Sequence, residues 1–136
     1  MTGLQGFRML AGDPSLRSSK GMQSGICHRC LGNGEGFAPC DSKDTQGFPF
    51  KPCPNGIRST IIFPSCWDGK NLDSPDHKSH MAFGPGSALG GGNCPSTHPI
   101  RTPQVMYEVM WNTSQFLDKK YYGTNKQPFV YSFGDA

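Results

Sequence analysis

Between Ser15 and Pro54 the chain runs for forty residues without a sustained hydrophobic period, yet this stretch holds four of the six cysteines. A free loop of that length is out of place inside a compact domain, so covalent staples are expected to organise it. The rest of the chain is punctuated in the same spirit. With 18 Gly, 12 Pro and only 35% hydrophobic residues, long helices are disfavoured. In a helix Gly costs about 1 kcal/mol against Ala, and Pro about 3 kcal/mol. The expected fold is mainly β with long irregular loops: a small disulfide-stapled domain, β-sandwich-like or an open sheet, with few short helical turns.

Four segments carry strand signals. Gly6–Asp13, "GFRMLAGD", reads as a strand ending at the breaker Gly12-Asp13-Pro14. "GIRSTIIFPSCW", 56–67, is the strongest, because Ile57, Ile61, Ile62 and Phe63 are β-branched or aromatic, and Pro64 should end the run or place it at an edge. "TPQVMYEVMW", 102–111, alternates, with Val105, Tyr107, Val109 and Trp111 on one face, and predicts a half-buried strand. "QPFVYSFGD", 127–135, predicts a last strand. "GPGSALGGG", 84–92, is expected to be a hinge or surface loop. It is no phosphate loop, since Asn93-Cys94 stand where Lys-Ser/Thr would be needed.

The formal charge of +3 is dispersed, its densest basic run being the pair Lys119-Lys120, which argues against a nucleic-acid partner. No apolar run approaches the roughly 18 residues of a membrane helix. The first residues, "MTGLQGFRMLAGDPSLRSS", lack the pattern of a signal peptide. Even so, six cysteines in a loop-rich chain favour disulfides and hence an oxidising compartment. "CHRC", 27–30, has the spacing of a zinc half-site or a redox pair. Zinc would need a matching second half, which Cys40 and Cys53 do not supply, and a redox motif would open a helix, whereas this one runs into glycines. A Cys66–Cys94 bridge would close the loop that carries the acidic histidine cluster and would contribute about 3 kcal/mol. The remaining connectivity stays open. Asn112-Thr113-Ser114 is a glycosylation sequon at Asn112.

Chemistry concentrates in "CWDGKNLDSPDHKSH", 66–80. Ser74-Pro75-Asp76 reads as a helix start, with Ser as N-cap and an acid in the first turn. One or two helical turns would bring His77 and His80 to adjacent faces, Asp76 under His80, and Asp73 within reach of His77. Imidazole with carboxylate can bind a divalent metal, and a His–Asp pair can fix a tautomer for acid–base work. His98 would join through the Cys66–Cys94 tether, making His77, His80 and His98 a candidate metal set. The structural alternative is an N-capped turn whose side chains bond their own backbone. Trp67 either packs on a disulfide or stacks on a sugar, Arg58 either clamps a carboxylate or lies on the surface, and His28 is expected to be a surface residue.

The stretches "GFRMLAGDPSLRS", "CPNGIRSTIIFPSCWDGKNLDSPDHKSHMAF", "CPSTHPIRTPQVMYEVMWNTS" and "QPFVYSFGD" together resemble a fungal secreted family, the domain of unknown function numbered nineteen ninety-six. The resemblance covers nearly the whole chain. It implies secretion, an extracellular or cell-wall location, and in some members linkage to a WSC carbohydrate-binding domain. It also implies that residues 1–136 are one incomplete domain, a central part with N- and C-terminal pieces missing, including an upstream H-x-H pair and a downstream His. On the family pattern Cys30 pairs with Cys53 and Cys66 with Cys94, leaving Cys27–Cys40 as an added bridge.

The function expected from cluster and resemblance together is action on cell-wall or extracellular polysaccharide, as a hydrolase or lyase. His77 or His80 would be base or metal ligand, Asp73 or Asp76 orienter or co-ligand, and Arg58 or Lys78 an anchor for acidic sugar. The sequence leaves the cofactor open, a divalent metal being one option. The alternatives are a non-catalytic wall-binding module stacking sugars on Trp67, Tyr107 and Trp111, and a purely structural surface protein.

Overall fold

A computed structural model describes residues 5–13, 15–17, 25–32, 38–85 and 92–131. Among these residues it is mainly β, with two small antiparallel sheets, three disulfides and one 3-10 turn at Lys119–Tyr121. No helix among the described residues is long and apolar enough to cross a membrane. The chain forms two compact units: Met1–Ala11 with Ile62–Met106, and Gly12–Ile61 with Tyr107–Ala136.

One sheet has the order β1 (Ile26–Cys30), β2 (Ile57–Ile62), β6 (Met106–Trp111). β2 is the central strand, is buried at five of its six positions with Ile61 half-buried, and ends before Pro64 as expected. β1 was not legible in the Ser15–Pro54 stretch. It pairs with β2 from Ile26↔Ile61 to Cys30↔Ile57, so Arg29 lies directly opposite Arg58. Like charges across a ladder repel. Asp44 resolves the conflict: its Oδ1 accepts from Arg29 Nε at 2.5 Å, and its Oδ2 lies 3.5 Å from Arg58 Nη2. Asp44 is held there because Thr45 bridges to β1, donating its N–H to the His28 carbonyl at 2.9 Å and accepting from His28 N–H at 2.7 Å. Asp41 and Glu108 add further carboxylates to the two guanidiniums.

The turn before β2 depends on Gly56, whose φ is +101° and where an added Cβ would meet the Trp111 carbonyl oxygen at 2.5 Å. Any side chain there would force the backbone apart.

The second sheet is minimal: β3 (Cys66–Trp67) lies between β4 (Met81–Ala82) and β5 (Ile100–Arg101). Its elements are two residues long, so most of the first unit is held by loop hydrogen bonds and by Cys66–Cys94.

Several expected elements take another form. Gly6–Asp13 is extended without being a strand: Arg8 N–H donates to the Leu72 carbonyl and Leu10 N–H to the His77 carbonyl, two alternate bonds that never become a ladder. β6 forms where the alternation predicts, but all six of its residues are exposed instead of half-buried. No strand occurs over 127–131, and 132–135 lie outside the described residues, as do 86–91 of the expected 84–92 loop.

Candidate functional site

The acidic histidine segment folds as consecutive turns, not as a helix. His77 adopts φ 53°, in the left-handed region, which stops helix propagation after Asp76. Two backbone bonds pin that conformation: His77 N–H donates to the Ser74 carbonyl at 2.8 Å, and the His77 carbonyl accepts from Leu10 at 2.9 Å. Left-handed backbone at a non-glycine residue needs such over-determination, and it clusters at functional sites.

Around this bend the carboxylates serve mainly the backbone. Asp76 Oδ1 accepts from the N–H groups of Lys78 (3.0 Å) and Ser79 (2.9 Å), and from the hydroxyls of Ser74 (2.7 Å) and Ser79 (2.9 Å). The Ser79 and Lys78 amides hold its carboxyl well below the usual carboxylate range. Asp68 is lowered likewise by the amides of Asn71 and Lys70. This is the structural alternative foreseen for the segment, realised residue by residue.

The histidines separate in role. His80 is buried, with Nε2–H donating to the Arg8 carbonyl at 2.6 Å, Nδ1 paired with Ser74 Oγ at 2.8 Å, and Phe7 edge-on at 5.4 Å. With both nitrogens engaged and no exposed face, it anchors the turn and is no catalytic base. His98 comes to the same segment, as the tether required, but it also spends both nitrogens. Nε2–H donates to the Ser79 carbonyl at 3.0 Å, and Nδ1 accepts from the Thr97 hydroxyl at 2.9 Å. Among the described residues, the nitrogens of His77, His80 and His98 do not gather within 4.8 Å. The group that does is Cys27, Cys40 and Asp44, whose two sulfurs are bonded to each other. The expected three-histidine metal set is therefore not assembled, because local carbonyls and hydroxyls already hold two of its rings.

His77 is different. Its Nδ1–H donates to Asp73 Oδ1 at 2.5 Å, and its side chain is 44% exposed. That bond is the main reason the Asp73 carboxyl sits below its ordinary range. Asp73 reaches His77 as the spacing predicted, whereas Asp76 does not pair with His80.

The substrate-anchor expectations divide too. Arg58 is buried and ion-paired to Asp44 and Glu108, so it is a structural cation of the sheet and not a sugar clamp. Trp67 is half-buried, donates its indole N–H to the Asn71 carbonyl at 2.6 Å and meets Phe7 edge-on, which fits packing. Lys78 is half-buried on the turn next to His77. Asn112 is exposed, its Oδ1 accepting from Ser114 N–H. Tyr107 is 60% exposed.

His28, expected at the surface, is buried on β1. Its Nδ1–H donates to the Gln46 carbonyl at 2.8 Å, and Nε2 accepts from the Tyr131 hydroxyl at 2.7 Å. Burial pushes its pKa down from the ordinary 6.5. No apolar–polar alternation in Ile26-Cys27-His28-Arg29-Cys30 marks β1 as a strand. The strand buries polar rings and guanidiniums where a β-branched run is normally sought.

Fold and site thus define a small disulfide-stabilised β protein whose exposed histidine chemistry is a single His–Asp pair among the described turn residues. The chain belongs to the family described as Domain of unknown function (DUF1996), whose family model matches residues 3–136. No curated protein and no solved structure matches it. The three bridges, Cys27–Cys40, Cys30–Cys53 and Cys66–Cys94, are those the family resemblance implies.

Proposed function

We propose that the protein is carbohydrate-active and acts on extracellular or cell-wall polysaccharide, as a hydrolase or lyase, through His77 and Asp73. The observation that carries this reading is the 2.5 Å bond from the His77 ring to Asp73 on a half-exposed side chain. With Nδ1–H donated to the carboxylate, the neutral ring presents its Nε2 lone pair, the atom that can take a proton from water or from a sugar carbon. Asp73 orients the ring and stabilises the imidazolium that forms. Asp76, Ser74, His80 and His98 keep the bend rigid, which is the support a proton-transferring pair needs. Lys78 is the neighbouring cation for an acidic sugar.

The extracellular setting is supported by three disulfides, which suit an oxidising compartment. The substrate class rests on the fungal wall association that the family resemblance implies. An N-linked glycan at Asn112 belongs to the same proposal.

The test is turnover of a panel of neutral and acidic wall polysaccharides by the purified protein and by His77→Ala and Asp73→Asn. Reducing ends or unsaturated products should appear with the parent protein. They should vanish in His77→Ala while its Tm stays within a few degrees. No product from any substrate, or full activity in His77→Ala, overturns the reading. A polysaccharide that is pulled down unchanged, with binding lost on Tyr107→Ala, would replace it by the non-catalytic wall-binding module.

A further inference from the structure

The second unit contains a half-open cavity of about 370 Å3, lined by Phe48, Trp111, Phe116, Phe129, Val130 and Tyr131 among others. That volume lies within the range of small-molecule sites. Its polar side chains are turned to other tasks. Trp111 donates its indole N–H to Ser59 Oγ at 2.9 Å, and the Thr113 hydroxyl donates to the Cys53 carbonyl at 2.7 Å. The Tyr131 hydroxyl donates to His28 Nε2. What remains toward the cavity is mostly apolar, five aromatic residues with Ile57, Pro128 and Val130, and the Oδ1 of Asn112 accepts from Ser114 N–H.

A sugar would have to surrender its hydration to such a wall without regaining hydrogen bonds, at a cost of roughly 1–3 kcal/mol for each unpaired hydroxyl. A charged ligand would lose more. The rings already meet one another in edge-on and tilted contacts: Phe116–Phe129 at 5.3 Å and 75°, Phe48–Phe129 at 5.8 Å, and Phe48–Tyr131 at 4.9 Å. Another ring entering the cavity would continue that pattern, gaining quadrupole contacts that an aliphatic chain cannot make.

We infer that this cavity is a binding site for a small, uncharged aromatic compound of about two to three fused or linked rings. It is independent of the His77–Asp73 pair and stands or falls separately from it.

The test titrates the full chain with N-phenyl-1-naphthylamine, an uncharged aromatic whose own fluorescence rises on leaving water. Saturable binding at one site per chain is expected. Trp111→Ala removes a wall of the site but also the bond to Ser59 and risks the fold, so the decisive variant is Val130→Asp. Val130 lines the cavity and is 81% exposed, so its replacement should leave the circular dichroism spectrum unchanged while placing a carboxylate at the mouth that the ligand must pass. Affinity should then fall by at least about tenfold. Unsaturable binding, or equal affinity in Val130→Asp, overturns the assignment. Displacement by decanol as readily as by naphthalene would make the site a generic apolar slot, and displacement by oligosaccharides would make it a glycan site; either result also overturns it.

Discussion

The two compact units solve the problem of a polar, loop-rich chain in opposite ways. In the first, the Asp/His bend has scarcely any sheet to lean on. Its carboxylates satisfy their own turn amides, and one bridge, Cys66–Cys94, closes the segment. In the second, charges are taken inside. Two arginines face each other across β1 and β2, and a buried Asp44 lies between them. A local, solvent-facing solution leaves a residue such as His77 available for chemistry. A buried ionic solution consumes its charges to fix register, and what it leaves open is an apolar cavity.

The sharpest way to break this contrast is to open the Cys66–Cys94 loop with paired Cys→Ser changes. The bridge spans 28 residues, so chain entropy assigns it about 3.5 kcal/mol. Guanidinium denaturation should show that loss, with hydrogen exchange faster through residues 66–82 and unchanged through β1 and β2. Retained protection of the bend would mean that its side-chain bonds suffice without the staple.

Next is Asp44→Ala. It removes the carboxylate that Arg29 and Arg58 share, and should cost about 3 kcal/mol, the lower end for breaking a buried ion pair. Here exchange should quicken in the β1–β2 ladder and not in the bend. A loss below about 1 kcal/mol would show the clasp to be dispensable.

Smaller again is Ser74→Ala, which removes the hydroxyl that donates to Asp76 Oδ1 and lies 2.8 Å from the buried His80 Nδ1. About 1–2 kcal/mol should be lost, read by the same denaturation curve.

The smallest effect separates the units by pH. The folded His28 holds its proton less tightly than the unfolded 6.5, so below pH 6.5 the unfolded chain binds a proton that the folded one does not. Stability therefore falls as pH drops through that window, by at most about 1.4 kcal/mol per pH unit. The bend behaves otherwise. Asp68, Asp73 and Asp76 are depressed below 3.8, so their contribution is intact above that value and is lost only as pH falls through their lower folded values. His28→Gln should flatten the stability profile between pH 7 and 5 while leaving the acid limb unchanged. A slope that persists in that variant would remove His28 from the explanation.

Legibility in the sequence followed the range of the interactions. Asp73 reaching His77 and the bonding of Asp76 to its own turn are contacts over four residues or fewer, and spacing reveals them. The helix start at Ser74 was a reasonable reading of the same residues. It failed because Leu10, some 67 positions away, bonds the His77 carbonyl and holds a left-handed bend.

By itself, then, the sequence determined the β class, the stapled organisation and the strand that Pro64 ends, since glycine, proline and β-branched side chains restrict the backbone wherever they occur. Only the tertiary structure decided that Arg58 and His28 are buried, that β6 is exposed and that His98 is a brace. Burial depends on which distant carboxylate, carbonyl or hydroxyl arrives to satisfy a polar group, and no local pattern encodes that partner.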